Sequence, residues 1–223
     1  MHLHVAIDGP AGAGKSTIAK AVARKLNIPY LDTGAMFRTL AFYAFESGID
    51  PNDESGVERA LPNAKIKITY DEGVQRMWLN GRDITSDIRT PKIGRGASDI
   101  SRHPAVRAKL LEMQRQVAKD GSVVMDGRDI CTVVMPDAPF AFYVTASVSE
   151  RAKRRIKEFE QKGETAPTIE QMEQMISERD YQDMNREFAP LKVAERAIVV
   201  DTTELTIDES IAAVLRAVTG EGE

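Results

Sequence analysis

Short apolar runs alternate along the chain with longer stretches in which apolar residues recur every three or four positions. Five runs are compatible with buried strands and cover residues 3–7, 28–31, 122–125, 140–144 and 197–200. Between them, Ala19, Val22 and Leu26 share one face of a predicted helix. A second helical face is formed by Val106, Leu110, Met113 and Val117. Strands separated by helices are typical of an α/β fold, so we expect a parallel sheet flanked by helices.

One segment departs from this alternation of strands and helices. Residues 65–70 alternate between polar and apolar positions and are followed by Asp71-Glu72-Gly73, a turn sequence. Residues 75–79 then have the pattern of a returning strand, which ends at Asn80-Gly81. These features predict a small antiparallel β insertion over residues 50–90, outside the main sheet.

The charge and cysteine content narrow the class of protein. The 30 basic and 34 acidic residues give a net charge of −4, whereas nucleic-acid-binding proteins are usually basic. We therefore expect no nucleic acid partner, and any anionic ligand must be held by a local cluster of cations. Cys131, the single cysteine, has no internal disulfide partner. Because no apolar run is long enough for a signal sequence or a membrane span, we expect a cytoplasmic protein.

The most specific motif lies directly after the first predicted strand. It fits G-x-x-x-x-G-K-[ST] without gaps and consists of Gly9, Pro10, Ala11, Gly12, Ala13, Gly14, Lys15 and Ser16, followed by Thr17. Glycines let backbone N–H groups surround a phosphate, and the following helix adds its positive N-terminal end. Lys15 supplies a charge for phosphate oxygens, and the Ser16 hydroxyl can bind Mg²⁺. The motif predicts a nucleoside triphosphate site.

A small phosphotransferase also needs a second site rich in arginine, and four further segments offer one. Residues 32–38 end in Arg38 after the second strand, and residues 126–129 (Asp-Gly-Arg-Asp) follow the third. Such strand ends are where open α/β sheets bind ligands. The other two segments are Arg151, Arg154 and Arg155, near the start of a helix that Ser149 would cap, and Arg179, Asp183 and Arg186, which would share a helix face. Taken alone, the last two also fit solvated helix surfaces.

These residues resemble the bacterial cytidylate (CMP/dCMP) kinases, within the nucleoside monophosphate kinase family. The resemblance extends over nearly the whole chain and rests on residues 7–17, 31–38, 88–90, 126–129, 132–134, 136–138, 178–186 and 189–191. The phosphate-binding loop is shared by many families, whereas Asp-Gly-Arg-Asp together with the insertion is more specific. The resemblance implies one kinase unit over residues 1–223, with a core formed by residues 1–49, 91–148 and 186–223. Residues 50–90 would be the insertion, and residues 149–185 a lid with its following helix.

The resemblance also implies roles for individual residues. Gly9 to Thr17 would hold the ATP phosphates, and Arg151, Arg154 and Arg155 would belong to the lid that closes over ATP. The acceptor would be CMP or dCMP, with Arg38, Arg128 and Arg186 at its phosphate, Arg179 and Asp183 at its sugar, and Ser98, Arg107 and Asp129 at its base. Thr33 would also bind this substrate. Lys15, Arg128 and Arg186 would carry the catalysis. Mg²⁺ would be the cofactor, at Ser16 and through water at Asp126, and the protein would act as a monomer.

The implied base contacts make chemical sense, because cytosine has an amino donor beside two acceptors. Asp129 can accept from the amine, and Arg107 can donate to the acceptors. Uracil has an acceptor in place of the amine and would face the carboxylate without a proton, so UMP should be a poorer substrate. Asp8 is a second candidate for organising Mg²⁺ through water. For both Asp8 and Asp126, a structural role at a strand end or helix cap is an equal alternative.

Two residues depart from the family pattern. Phe37 stands where the family usually has tyrosine, so a hydroxyl near the monophosphate is absent. Cys131 stands where glycine is usual, and its side chain either shifts the base pocket or packs as a small apolar group. Two other functions remain open from the residues alone: a kinase of the same fold acting on AMP or on an alcohol, and a regulatory module that senses ATP without consuming it.

Overall fold

The computed structural model describes residues 2–161 and 163–220. Their contacts divide the chain into two compact units. The first unit consists mainly of Ile28–Val123, and the second of Leu3–Asn27 and the chain from Val124 onward. The division into core, insertion and lid that the family resemblance implies stays a prediction.

The strands of the described residues are β1 (His4–Asp8), β2 (Tyr30–Asp32), β3 (Ile66–Asp71), β4 (Val74–Leu79), β5 (Arg82–Asp83), β6 (Val123–Gly127), β7 (Phe140–Thr145) and β8 (Ile198–Asp201). The α-helices are α1 (Lys15–Leu26), α2 (Thr33–Glu46), α3 (Glu54–Ala60), α4 (Pro91–Ile100), α5 (Pro104–Asp120), α6 (Val148–Gln161), α7 (Ile169–Asn185) and α8 (Ile207–Thr219). One π-helical turn covers Ile130–Val134. Among the described helices, none is long and apolar enough to cross a membrane.

The main sheet has five strands in the order β2-β6-β1-β7-β8. β1 pairs in parallel with β7, with Ile7 opposite Phe142, and β7 pairs in parallel with β8. Strands buried on both faces read as continuous apolar runs. All five predicted runs correspond to strands of this sheet, although three of the four residues of β8, at its edge, are exposed. The predicted parallel sheet with flanking helices is confirmed.

The buried faces of the helices largely follow the predicted spacing. In α1, Ala19 and Val22 are buried, whereas Leu26 at the end of the helix is half-buried. In α5 the buried residues are Val106, Leu110, Gln114 and Ala118. Its face therefore follows a strict four-residue spacing, and the predicted Met113 and Val117 lie beside it, half-buried. Periodicity alone locates such a face only to within one residue per turn.

A three-stranded antiparallel sheet in the first unit confirms the predicted insertion. Its order is β3-β4-β5, and Ile66 pairs with Leu79. Glu72 and Gly73 both have positive φ, which is the backbone form of a tight hairpin turn. The insertion is not wholly β, because residues 54–60 form α3, whose first turn is capped by Asp53.

Two local predictions about helix ends are wrong. The cap of α6 is Ser147, whose Oγ accepts a hydrogen bond from the backbone N–H of Glu150 at 3.2 Å, whereas Ser149 lies inside the helix. Helix α7 ends at Asn185, and Arg186 follows it with extended backbone angles. Arg179 and Asp183 therefore belong to α7, and Arg186 lies in the segment just beyond it.

Candidate functional site: a phosphate-binding loop and two arginine clusters

The phosphate-binding loop connects β1 to α1 in the second unit. At Gly9, where φ is +146°, a Cβ would overlap the carbonyl oxygen of Val144, so a larger residue does not fit. Gly14 adopts a left-handed conformation at the start of α1 and leaves the helix N-terminus uncovered by a capping side chain. The loop thus presents backbone N–H groups and the positive end of a helix, as phosphate binding requires.

Lys15 lies buried beneath this loop. Its Nζ donates a hydrogen bond to the carbonyl oxygen of Pro10 at 2.6 Å. Burial is the main cause that lowers the pKa of Lys15 to about 7, and the charge of Arg128 adds to it, against the opposing charges of Asp126 and Asp183. The loop therefore holds the Lys15 amine in place through a hydrogen bond to its own backbone.

Ser16 and Asp126 bring two oxygen groups together at the end of β6. The Ser16 hydroxyl donates to Oδ2 of Asp126 at 2.8 Å, and Asp126 is 5% exposed. Hydroxyl and carboxylate oxygens suit a hard cation such as Mg²⁺. Within residues 2–161 and 163–220, no group of three or more His, Cys, Asp or Glu side chains could hold a metal ion. A cation at Ser16 and Asp126 would thus need oxygens from phosphate and water.

Asp183 is the centre of a buried cluster of charges in the second unit. Its Oδ2 accepts a hydrogen bond from Nε of Arg128 at 2.8 Å, and its Oδ1 lies 3.8 Å from Nη1 of Arg186. Nη2 of Arg186 lies 3.8 Å from Oδ1 of Asp129. Burial acts to raise the pKa of Asp183, but the charges of Arg128, Arg179 and Arg186 outweigh it and hold the pKa below its usual value. The structure thus brings four predicted substrate residues together, with the exposed Arg179 acting on Asp183 electrostatically.

The three predicted lid arginines have three different environments. Arg151 is 4% exposed, and its Nη1 donates to Oδ2 of Asp180 at 2.6 Å and to the phosphate-loop carbonyl of Ala11 at 3.1 Å. Arg154 donates to the hydroxyl and carbonyl oxygens of Thr202 at 3.0 and 2.6 Å. Arg155 is exposed and pairs with Glu158 at 2.6 Å. Arg151 therefore contacts the loop itself, and their predicted role in ATP binding stays a prediction for all three.

A cavity of about 210 Å³ beside the phosphate-binding loop was not anticipated from the sequence. It is lined by Ala13, Gly14, Ile18, Glu150, Arg154, Thr202, Leu205, Thr206, Ile207 and Ser210. One wall is the segment between β8 and α8, directly after the last predicted strand. One signal in the sequence could have located this cavity. Ligands bind at the carboxyl ends of parallel strands, and β8 was among the predicted strands.

Asp32 and Arg38 form the first predicted substrate group in the first unit. Asp32 caps α2, with Oδ1 accepting from the backbone N–H of Ala35 at 2.9 Å, and its Oδ2 pairs with Nη2 of Arg38 at 2.7 Å. The Nε of Arg38 is buried without a hydrogen-bond partner. A Cβ on Gly34 would approach both side chains to 3.1 Å. Thr33, the first residue of α2, is buried.

Arg107 and Ser98 lie on neighbouring helices of the same unit. The Arg107 guanidinium is centred 5.6 Å from the ring of Phe37, and its Nη1 donates to the carbonyl of Ser101 at 3.1 Å. The Oγ of Ser101 in turn donates to the carbonyl oxygen of Ser98, which lies in α4. Phe37, one of the two departures from the family pattern, therefore supports a predicted base-reading arginine through its ring.

Asp8 at the end of β1 contacts the π-helical turn that follows Asp129. Its carboxylate accepts from the backbone N–H groups of Ile130 and Cys131 at 2.9 and 2.7 Å. Burial raises the pKa of Asp8 to about 6, against the opposing effect of these two hydrogen bonds. Burial also raises the pKa of the Cys131 thiol, whose Sγ lies 3.6 Å from the carbonyl oxygens of Ala6 and Phe142. Cys131 is packed within the core of the unit, and Asp8 caps the turn.

Comparison with known proteins agrees with these features. The family model described as cytidylate kinase matches residues 5–220. The cytidylate kinase of Limosilactobacillus reuteri is 44% identical over 216 residues, which cover 97% of this chain and 95% of that protein. The cytidylate kinase of Caldicellulosiruptor saccharolyticus is 46% identical over 213 residues, which cover 96% and 94%.

Among solved structures, an uncharacterised protein from Eubacterium ventriosum has the same fold. It aligns with a TM-score of 0.55 and 13% identity, over 98% of this chain and 99% of that one. Fold similarity at this identity does not distinguish between activities, whereas the family model and the curated relatives do so over almost the full length. The chain belongs to the cytidylate kinase family.

Proposed function

We propose that this protein transfers the terminal phosphoryl group of ATP to CMP or dCMP, giving ADP and CDP or dCDP. The observation that carries the proposal is the cluster of Arg128, Asp129, Asp183 and Arg186 in the unit that also contains the phosphate-binding loop. An ATP sensor needs only the loop. A buried arginine cluster in addition suits an enzyme that must hold a second anion.

We assign the donor ATP to the phosphate-binding loop from Gly9 to Thr17. Lys15 would exchange the carbonyl of Pro10 for phosphate oxygens, and Arg151 would keep Ala11 in place. We assign the remainder of the nucleotide to Arg154 and the cavity beside Gly14, which Arg154 lines. We assign the required divalent cation as Mg²⁺ on Ser16, with Asp126 fixing the Ser16 hydroxyl or holding a water ligand. When bound, the metal neutralises phosphate charge.

For the acceptor, we assign the phosphate to Arg38, Arg128 and Arg186, and we count Thr33 among the other substrate-binding residues. The buried Nε of Arg38 has no partner in the structure, so this arginine retains a donor for a phosphate oxygen. We assign the sugar to Asp183 and Arg179, and the base to Asp129, Arg107 and Ser98. The ring of Phe37 lies against the Arg107 guanidinium. Because Phe37 lacks the hydroxyl of the tyrosine usual in the family, one contact near the monophosphate is absent, but the ring that supports Arg107 is retained.

The reaction needs no side chain as a general base. The attacking group is a phosphate oxygen with a second pKa of about 6, which is largely ionised at neutral pH. The barrier is therefore the repulsion between anions, and Lys15, Arg128 and Arg186 are the cations assigned to overcome it. Exclusion of water on closure of the lid would prevent hydrolysis of ATP.

We propose further that the protein works in the cytoplasm, as a monomer, on free nucleotides and not on nucleic acid. The net charge of −4 supports the last point, because proteins that bind nucleic acid are usually basic.

The test is ADP production from ATP and Mg²⁺ with CMP, dCMP, UMP, AMP, GMP or a sugar alcohol as separate acceptors. We expect strong stimulation by CMP and dCMP only. Stimulation by AMP or UMP would keep the kinase and exclude the base contacts assigned to Asp129 and Arg107. Stimulation by the alcohol alone, or ATP binding without turnover, would contradict the proposed reaction.

Replacing Lys15 tests the donor site separately. We expect Lys15→Ala to lower turnover by about 10²- to 10⁴-fold, because the phosphate oxygens lose their nearest cation. The melting temperature should not fall, since a buried cation is removed with it. Lys20→Ala, an exposed position on the same helix, is the matched control and should retain wild-type turnover. Wild-type turnover in Lys15→Ala would exclude the role assigned to the loop.

A further inference from the structure

Gln75 is a buried glutamine in β4, within the antiparallel sheet of the first unit. Along β4, Gln75, Met77 and Leu79 alternate into the interior, so the strand pattern by itself would place an apolar residue at position 75. Burying an amide costs free energy unless its hydrogen bonds are satisfied. The contacts of Gln75 therefore indicate what this residue does.

Both ends of the Gln75 amide bond to the main chain of one residue, Asp32. The Oε1 of Gln75 accepts from the backbone N–H of Asp32 at 2.7 Å, and Nε2 donates to the carbonyl oxygen of Asp32 at 3.3 Å. A further contact joins Nε2 to the sulfur of Met77 at 3.0 Å. Residues 32 and 75 are 43 positions apart, so the antiparallel sheet holds a distant piece of backbone by a side chain.

Asp32 is also the residue that orients Arg38. It stands between β2 and α2, where the chain changes from strand to helix, and no backbone ladder continues past it. Its two carboxylate oxygens have separate partners: the backbone N–H of Ala35 and the guanidinium of Arg38. A continuous series of hydrogen bonds therefore runs from Gln75 through Asp32 to Arg38.

We propose that Gln75 is a positioning residue for the acceptor phosphate, acting through Asp32 on Arg38. The inference rests on the proposed function, in which Arg38 binds the phosphate of CMP. Gln75 itself touches no substrate. By fixing the Asp32 backbone, it fixes the carboxylate that holds one edge of the Arg38 guanidinium, and so orients the buried Nε toward a single position. The antiparallel sheet thereby contributes to the affinity for the acceptor without contacting it.

The test is a set of steady-state measurements on purified full-length variants. Gln75→Leu keeps the size of the side chain and removes both hydrogen bonds to Asp32. We expect the KM for CMP to rise about tenfold, as for the loss of hydrogen bonds that orient a charged group, with kcat and the KM for ATP within about twofold of wild type. Gln114→Leu, at another buried glutamine of the same unit, is the matched control and should leave the KM for CMP unchanged.

A double-mutant cycle separates positioning from general loosening of the unit. In an Arg38→Met background, which already lacks the phosphate contact, Gln75→Leu should cause no further rise in the KM for CMP. An equal rise in both backgrounds would overturn the proposal, because Gln75 would then act independently of Arg38. An unchanged KM in Gln75→Leu alone, or a change in the KM for ATP as large as that for CMP, would also overturn it.

Gln75→Glu covers the case in which Gln75→Leu fails to fold. The carboxylate retains the acceptor for the Asp32 N–H and loses the donor to the Asp32 carbonyl, so we expect a KM for CMP between those of wild type and Arg38→Met. A KM equal to wild type would exclude the inference. Wild-type protein without CMP-stimulated ADP production would reject the proposed function and the inference together, whereas an active wild type with unaffected variants would reject the inference alone.

Discussion

The second unit buries two aspartates, Asp8 at the end of β1 and Asp183 near the end of α7. The surroundings of the two carboxyl groups shift their pKa values in opposite directions. Asp8 is 1% exposed and Asp183 is 7% exposed, so burial acts to raise the pKa of both. Asp8 accepts two hydrogen bonds from neutral backbone N–H groups, which do not offset the effect of burial, and its pKa rises to about 6. Asp183 lies among three arginines, and its pKa falls below its usual value.

The difference corresponds to two uses of a buried carboxylate. At β1, two backbone hydrogen bonds fix the turn that follows Asp129, and the carboxylate serves to hold a shape. At α7, Asp183 bonds to Arg128 and lies close to Arg186, so it fixes the two guanidinium groups that we assign to the acceptor phosphate. A carboxylate that holds a shape can tolerate protonation, whereas one that balances buried cations cannot.

Removing the charge of Asp183 should have the largest effect. Asp183→Asn keeps the shape but leaves Arg128 and Arg186 without their shared anion, so we expect the free energy of unfolding to fall by about 3 kcal/mol. We also expect kcat/KM for CMP to fall about 100-fold, because the arginines lose their orientation. Denaturant titration and steady-state kinetics measure the two effects. Glu178→Gln, exposed on the same helix, should change neither, and equal effects in the two variants would contradict the contrast.

The next largest effect should be a difference between Asp8 and Asp183 in how the free energy of unfolding depends on pH. Asp8 binds a proton more readily in the folded than in the unfolded state, so its contribution to stability is complete below pH 3.8 and is lost as the pH rises through about 6. From these two values, the contribution of Asp8 to the free energy of unfolding should fall by about 3 kcal/mol over that range. Asp183, with a lowered pKa, acts in the reverse sense and loses its contribution only as the pH falls below its ordinary value.

Urea titrations of wild type and Asp8→Asn between pH 4 and 7 measure this difference. The stability of wild type relative to Asp8→Asn should decline steadily as the pH rises. A relative stability that stays constant over the range would show that Asp8 does not titrate there, and would remove the contrast with Asp183.

The parts of this comparison differ in how far the sequence predicts them. The phosphate-binding loop and the five buried strands depend on local spacing, so Lys15, Ser16 and the Asp-Gly-Arg-Asp segment could be located from the sequence. The residues with which they pair in the folded protein could not be predicted from the sequence. Asp183 pairs with Arg128 at a separation of 55 residues, and local spacing contains no information about tertiary pairs of this kind. The spacing of Arg179, Asp183 and Arg186 predicted one helical face, yet the helix ends before Arg186.

The cavity beside the β8–α8 segment and the role of Gln75 in the antiparallel sheet show the same limit of prediction from the sequence. The cavity beside Gly14 depends on where Thr202 and Arg154 meet, and the role of Gln75 depends on the backbone of Asp32. An isolated glutamine in a strand has no motif that marks it. Its meaning follows only from the requirement that a buried amide find partners, which can be assessed once the fold is known.

Asp129 links the two regions, and replacing it should give the smallest and most specific effect. Its charge adds to the raised pKa of Asp8, and its Oδ1 lies 3.8 Å from Arg186. Asp129→Asn should therefore move the Asp8 pH transition to lower pH. Because the amide can donate as well as accept, we also expect the preference for CMP over UMP in kcat/KM to narrow about tenfold. Asp137→Asn, an exposed position eight residues further on, is the control for both measurements. A shifted transition with an unchanged preference would leave Asp129 as an electrostatic neighbour of Asp8 and exclude it from base recognition.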